Sequence, residues 1–245
     1  MQPSSPSRET LRHNLARVRD RIAAACRASG RAPESVTLLP VTKNVSADVI
    51  AALWDLGLRE FGENRADTLV AKAADLAARG LTPRWHFIGP LQRNKARRVL
   101  QHASVLHSLH SLALLETLER IGDELHRPLE VFLQVHLSGE AAKQGFAESE
   151  LPAACESLRE TPHLLPRGLM TMGPLDDPDG AAARAVFARL SELAASIRLP
   201  EPRTWLHGAC ERSMGMSGDL EWAIAAGSTL VRIGTDLYSP VPDPA

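Results

Sequence analysis

Eight short apolar stretches alternate with amphipathic or alanine-rich ones along the chain, and this exchange of a two-residue for a 3.6-residue period constrains the fold more than any single motif. The strand-like stretches are Val36 to Thr42, Leu58 to Gly62, Arg84 to Gly89, Ser104 to Ser108, Leu129 to Leu137, Arg167 to Met172, Thr204 to Ala209 and Thr229 to Gly234. Helical spacing falls between them, at Ala47 to Leu56, Ala66 to Ala78, Asn94 to His102, Leu112 to Leu125, Glu148 to Arg159, Gly180 to Ile197 and Leu220 to Ala226. Strict alternation requires parallel strands joined by right-handed crossovers. Eight such units in about 250 residues are what a closed (β/α)8 barrel needs. The expectation is an α/β fold, a single TIM-type barrel filling residues 1–245 as one domain. One extra helix precedes it. Arg8 to Ala28 puts Leu11, Leu15, Val18, Ile22 and Ala25 on one face and stops at Ser29-Gly30, so it should pack on the outside or bottom of the barrel.

Charge and cysteine content narrow the setting. With 28 basic and 29 acidic residues and a net charge of -1, the chain lacks the electrostatic footprint of a nucleic-acid or anionic-membrane binder. Cys26, Cys155 and Cys210 are odd in number and far apart, which fits reduced thiols rather than a disulfide or zinc framework. No apolar run approaches a membrane span, and MQPSSPSRET has no signal-peptide core. The sequence reads as a soluble cytoplasmic monomer with a small-molecule partner, and neither nucleic acid nor membrane is expected.

A barrel collects the C-terminal ends of its strands on one rim. Here that rim gathers Lys43, Glu63, Asn64, Gly89, Pro90, His136, Met170, Thr171, the run Ser213 to Asp219, and Arg232 to Thr235. Lys43 ends the apolar run TLLPVTK; a lysine buried there would be desolvated, and desolvation favours the neutral amine that attacks aldehydes. A lysine snorkelling into solvent is the plainer alternative. SMGMSGD and Ile233-Gly234-Thr235 occupy the two loops that form the usual phosphate site of such barrels, because backbone N–H groups converge there. An ordinary helix entry capped by Ser217 or Asp219 would explain the first equally. A lysine facing a phosphate cup suits an aldehyde-bearing phosphate, and pyridoxal 5′-phosphate (PLP) is the cofactor of that kind. Arg232, flanked by Val231 and Ile233, should point into the barrel mouth and meet the ring nitrogen, unless it pairs with Glu63. A guanidinium keeps its proton, so it would leave that nitrogen unprotonated and weaken the ring as an electron sink.

The stretches TLLPVTK, FGENR, WHFIGPLQRNK, RGLMTM and SMGMSGDLEWAIAAGSTLVRIGT, in this order, closely resemble the pyridoxal phosphate homeostasis protein family from the first helix to the last strand. The resemblance implies a barrel like that of alanine racemase, standing alone, that binds PLP without established catalytic activity. It implies a role in vitamin B6 homeostasis, buffering PLP or supplying it to apo PLP-dependent enzymes. It also implies Lys43 as the Schiff-base residue and Asn64 on the phenolic-oxygen side of the ring. Ser213, Gly215, Gly234 and Thr235 would line the phosphate, Arg232 would face the ring nitrogen, and His86 and Met170 would lie close around the ring. From the residues alone, His86 and Met170 are more often explained as core than as contacts of a cofactor. Asn44-Val45-Ser46, His136 and Arg212 depart from the family's pattern and bear on loop geometry rather than on the ligand. Lys143, in EAAKQGF, is a secondary candidate.

Two other readings compete with a binding protein. A PLP-dependent amino-acid racemase or decarboxylase would need an acid/base opposite the lysine, which barrel racemases of this type take from a second domain. Tyr238 is the only tyrosine and lies beyond the eighth strand, and no second domain is expected to supply that group. A barrel for another phosphorylated metabolite, with an aldolase-type lysine, would need an acidic relay, for which Glu63 is the evident residue.

Overall fold

The computed structural model describes residues 6–139, 144–174, 177–198 and 210–240. The expected barrel is there. Eight parallel strands, β1 (Thr37–Pro40), β2 (Glu60–Glu63), β3 (Arg84–Phe87), β4 (Ala103–Leu109), β5 (Leu129–Gln134), β6 (Leu164–Met170), β7 (Glu211–Ser213) and β8 (Leu230–Ile233), pair in the order β1-β8-β7-β6-β5-β4-β3-β2. The ring closes through a bridge between Val41 and Gly62, where the Thr42 N–H donates to the Gly62 carbonyl at 2.8 Å.

The helices are α1 (Arg8–Ala28), α2 (Ala47–Asp55), α3 (Ala66–Ala78), α4 (Ala96–Leu100), α5 (Leu112–Leu125), α6 (Leu151–Arg159), α7 (Ala181–Ser196), α8 (Leu220–Ala225) and α9 (Thr235–Tyr238). Local chemistry sets their ends. The Ser111 hydroxyl accepts the Leu114 N–H at the start of α5, and the helix then buries Leu114, Leu115, Leu118 and Ile121 at helical spacing. Ser7 caps α1 by accepting the Thr10 N–H at 3.0 Å. The predicted apolar stripe of α1 packs against Val36, Leu220, Ile224, Val231, Ile233 and Leu237, so the helix covers the outside of the barrel beside β1 and β8. Buried Asn14 fastens it further, its Nδ2 donating to the carbonyls of Leu237 at 3.2 Å and Ser239 at 2.9 Å.

The seventh strand differs from expectation. Thr204 to Ala209 lies outside the described residues, and the seventh place in the ring is taken by Glu211–Ser213, in register with Gly168–Met170. A strand reading Glu-Arg-Ser carries no apolar signal because the barrel interior at this point is ionic. Arg84 of β3 reaches Glu60 of β2 at 2.9 Å and Glu130 of β5 at 2.5 Å, while Arg167 of β6 reaches Glu130 at 3.1 Å and Glu211 of β7 at 2.8 Å. Contacts that skip β4 can only cross the inside of the ring. Nearer the C-terminal strand ends the interior turns apolar at Val105, Phe132 and Met170. Among the described residues no helix is long and apolar enough to cross a membrane.

Candidate functional site

A cavity of about 1020 Å³ opens where the strands end. Its wall takes Lys43 to Ser46 from the loop after β1, Asn64 after β2, Gly89 and Pro90 after β3, Gln134 ending β5, Met172 after β6, Met216 to Gly218 after β7, Arg232 in β8, and Gly234, Thr235 and Tyr238 after it. Five of the residues singled out in the sequence, Lys43, Asn64, Arg232, Gly234 and Thr235, therefore meet on one wall.

The burial expected at Lys43 is absent. β1 ends at Pro40, Val41 and Thr42 are buried, and Lys43 follows in a turn with its side chain exposed. The chain has already left the barrel, so the ammonium stays in water. The buried lysine is Lys72 of α3, which donates to Glu63 Oε2 and to the Thr42 carbonyl, each at 2.7 Å. Glu63 is fully buried and also accepts the Asn64 N–H at 3.0 Å. It is engaged by Lys72, so it serves neither as partner of Arg232 nor as a relay for Lys43.

Asn64 presents a buried side-chain oxygen without a hydrogen-bond partner. Gly89 sets its place, since a Cβ at Gly89 would stand 2.1 Å from the Asn64 carbonyl oxygen. Arg232 is 5% exposed. Its Nη1 donates to Ser213 Oγ at 2.7 Å and its Nη2 to the Thr171 carbonyl at 3.0 Å. Burial pushes the guanidinium down to about 10, against the attraction of Asp219, and it stays charged at neutral pH.

Four expected contacts lie off the wall. Ser213 is fully buried at the end of β7, its hydroxyl spanning Arg232 and His107 rather than standing on the cavity wall. Ser217 is the serine that reaches the cavity. Gly215 turns the loop in the left-handed region at φ 97°, where a Cβ would lie 2.6 Å from Ala223, and its carbonyl accepts the Arg232 N–H at 2.9 Å. His86 is fully buried, its Nδ1 2.9 Å from His107 Nε2. Met170 packs with Val105 and Phe132 inside the barrel, and Met172, two residues on and on the same face, lines the cavity. His136 is also off the wall, and Gln134 stands there instead. Lys143 lies outside the described residues.

Sequence reasoning placed Ser217 in the phosphate loop without singling it out as a contact, and named Tyr238 without a place on the wall. The Ser217 carbonyl accepts from Arg21 Nη2 at 3.0 Å, so α1 pins the loop after β7. The Tyr238 hydroxyl is buried without a partner, and burial pushes its ionisation upward. The wall thus joins an exposed primary amine, a buried guanidinium, an amide oxygen in want of a donor, and hydroxyls on the loops after β7 and β8. Such a set suits an anionic ligand that carries an electrophilic carbonyl and a polar ring.

Residues 7–242 match the family described as "Alanine racemase, N-terminal domain". The pyridoxal phosphate homeostasis protein of Pseudomonas aeruginosa is 42% identical over 229 residues, covering 94% of this chain and 95% of its own. The protein of the same name from Escherichia coli K12 is 38% identical over 229 residues, 93% and 95% of the two chains. A structure of PipY from Synechococcus elongatus with PLP bound superposes with a TM-score of 0.75 at 35% identity, covering 91% of this chain and 100% of that one. A Clostridium difficile alanine racemase shares the fold, with a TM-score of 0.70 at 15% identity over 96% of this chain and 58% of its own.

Proposed function

The chain belongs to the family of the alanine racemase N-terminal domain and stands among the pyridoxal phosphate homeostasis proteins, and from that premise we propose that it binds PLP in the cavity at the strand ends, holding and handing on the cofactor rather than turning over a substrate. One observation carries the reading: Lys43, Asn64 and Arg232 share a wall with Gly234 and Thr235. The fit is residue by residue. Lys43 is the one lysine on the cavity wall among the described residues, and its exposed amine is free to capture an aldehyde covalently. The unpartnered Asn64 oxygen suits a hydroxyl on the ring. Ser217, Gly234 and Thr235 bring the loops after β7 and β8 to the position where barrels of this kind bind phosphate.

When bound, PLP supplies an aldehyde that condenses with amines and a ring that withdraws electrons from an attached carbon. Arg232 limits the second property. A guanidinium offers donors only, so Arg232 would hold the ring nitrogen by donation and would not protonate it. Tyr238 on the same wall is the one observation that favours a racemase-type enzyme. Its hydroxyl is sealed from solvent and its ionisation is suppressed by burial, which makes it a poor base and favours the binding reading. The proposed setting is a cytoplasmic monomer that releases PLP to apo PLP-dependent enzymes.

The experiment is the absorption spectrum of PLP-loaded protein before and after borohydride, followed by peptide mapping. A visible band bleached by borohydride, with the label on the Lys43 peptide, is expected. A protein that never develops the band at saturating PLP sinks the proposal.

A further inference from the structure

The ion ladder inside the barrel does not balance by itself. Among the described residues Glu60, Glu130 and Glu211 form ion pairs with Arg84 and Arg167 alone, leaving one carboxylate in excess. Arg232, one layer nearer the cavity, is a buried cation with no ion pair among the described residues. Arg232 is the buried end, attracted by Asp219 without an ion pair to it, whereas Glu60 keeps 30% of its side chain exposed.

A line of side chains joins them. Arg232 Nη1 lies 2.7 Å from Ser213 Oγ, Ser213 Oγ 2.8 Å from His107 Nδ1, His107 Nε2 2.9 Å from His86 Nδ1, and His86 Nε2 3.6 Å from Glu60 Oε2. The ends fix its direction. Arginine can only donate and a carboxylate can only accept. Ser213 therefore accepts from Arg232 and donates to His107 Nδ1; His107 carries its proton on Nε2 and donates to His86; His86 carries its own on Nε2, facing Glu60. The reverse order would leave the serine proton unused and set a lone pair of His86 against the Glu60 carboxylate. Burial favours the neutral imidazole at both histidines, as a tautomer chain requires. Stacking of His107 on Phe132, with centroids 4.6 Å apart, holds its ring in place.

We propose that Ser213, His107 and His86 form a one-way hydrogen-bond relay that fixes Arg232 as a donor and ends at His86 Nε2, which faces Glu60 at 3.6 Å without a hydrogen bond to it, making His107 a positioning residue for the ring-nitrogen contact of PLP. The role at the ring rests on the PLP reading above. The relay itself is a property of the protein without cofactor.

The first arm of the test is histidine 15N NMR of the protein free of PLP near neutral pH. Both His86 and His107 should be neutral with the proton on Nε2; a proton on His107 Nδ1, or an imidazolium at either residue, overturns the relay whatever binds in the cavity. The second arm compares His107→Leu with His107→Gln, whose amide can accept from Ser213 and donate to His86. The leucine variant should weaken PLP binding about tenfold, the order of one charge-assisted hydrogen bond, and shift the visible band, while glutamine recovers most of both. Should His107→Leu fail to fold, Ser213→Ala provides the same comparison on the other side of the break. Unchanged affinity and band in a folded variant overturn the positioning role. Absence of PLP binding in the parent protein, with the tautomers as stated, would instead overturn the cofactor reading alone.

Discussion

Lys72 Nζ stands 2.7 Å from Glu63 Oε2 in a buried ion pair, and the same ammonium donates to the carbonyl of Thr42, the residue before Lys43. The pair is thus the support under the turn that carries the candidate amine. Removing one partner strands the other in a dry site. Lys72→Met should cost about 3–5 kcal/mol in urea unfolding, whereas the double change Lys72→Met with Glu63→Met should cost clearly less, because no buried charge is then left alone. A single variant within about 1 kcal/mol of the parent would show that the pair does not support the turn.

Lys43 itself contributes little to folding. Its side chain is exposed and takes part in no ion pair or side-chain hydrogen bond among the described residues, so Lys43→Ala should leave the unfolding midpoint within about 0.5 kcal/mol of the parent. The same variant should lose the borohydride-fixed label completely. Retention of the label at full stoichiometry would move the covalent site elsewhere, and Lys143 would be the next residue to map.

The ring of strands and helices was legible because its signals are local. Ala66 to Ala78 and Leu112 to Leu125 appear with the expected bounds, since an alanine-rich run and a serine cap leave little choice of helix end. The interior was less legible, because a charged layer inside a barrel defeats any rule that equates strands with apolar runs. Glu211-Arg212-Ser213 was therefore read as strand end and loop. Lys72 had a readable signal, a lysine at helical spacing between Leu69 and Leu76, the buried residues of α3. Lys43 misled for the opposite reason: the apolar run before it suggested burial, and only the register of β1 against β8, ending at Pro40 and Ile233, shows that the chain has left the barrel by that point. Ser213 and Ser217 lie in one five-residue stretch, and spacing alone did not say which would face the ligand.

Stability should fall on acidification well before ordinary carboxylates titrate. Burial is the leading cause that holds His86 and His107 below the usual 6.5. Below that value the unfolded chain takes up protons that the native imidazoles resist, so the contribution of these residues is complete above it and declines as pH drops, by at most about 1.4 kcal/mol per pH unit for each group. Glu60, held down to about 2 from 4.5 chiefly by its contact with His86, acts in the same direction at lower pH: its contribution is present above 4.5 and is lost between there and 2. Urea midpoints measured from about pH 7.5 to 5 should decline, and His107→Gln should flatten the decline by about half. A level profile over that range would mean that the two imidazoles are not held neutral.

Amino-acid racemisation should be absent or trace. Two-sided proton transfer needs a second acid/base across from the lysine, and Tyr238 is the tyrosine that shares the wall with Lys43. Its hydroxyl is buried without a partner and its ionisation is pushed upward, so it neither accepts a proton readily nor is recharged from solvent. On the proposed site Arg232 would add to the effect, because a guanidinium would leave the ring nitrogen unprotonated and weaken stabilisation of charge at the substrate carbon. PLP-loaded protein incubated with a single enantiomer of alanine in deuterated water should show at most slow deuterium uptake with optical purity retained, because on the proposed site Lys43 would act from one face. Tyr238→Phe should leave that behaviour unchanged. Loss of optical purity that disappears in both Lys43→Ala and Tyr238→Phe would make the two residues an acid/base pair, and the protein an enzyme.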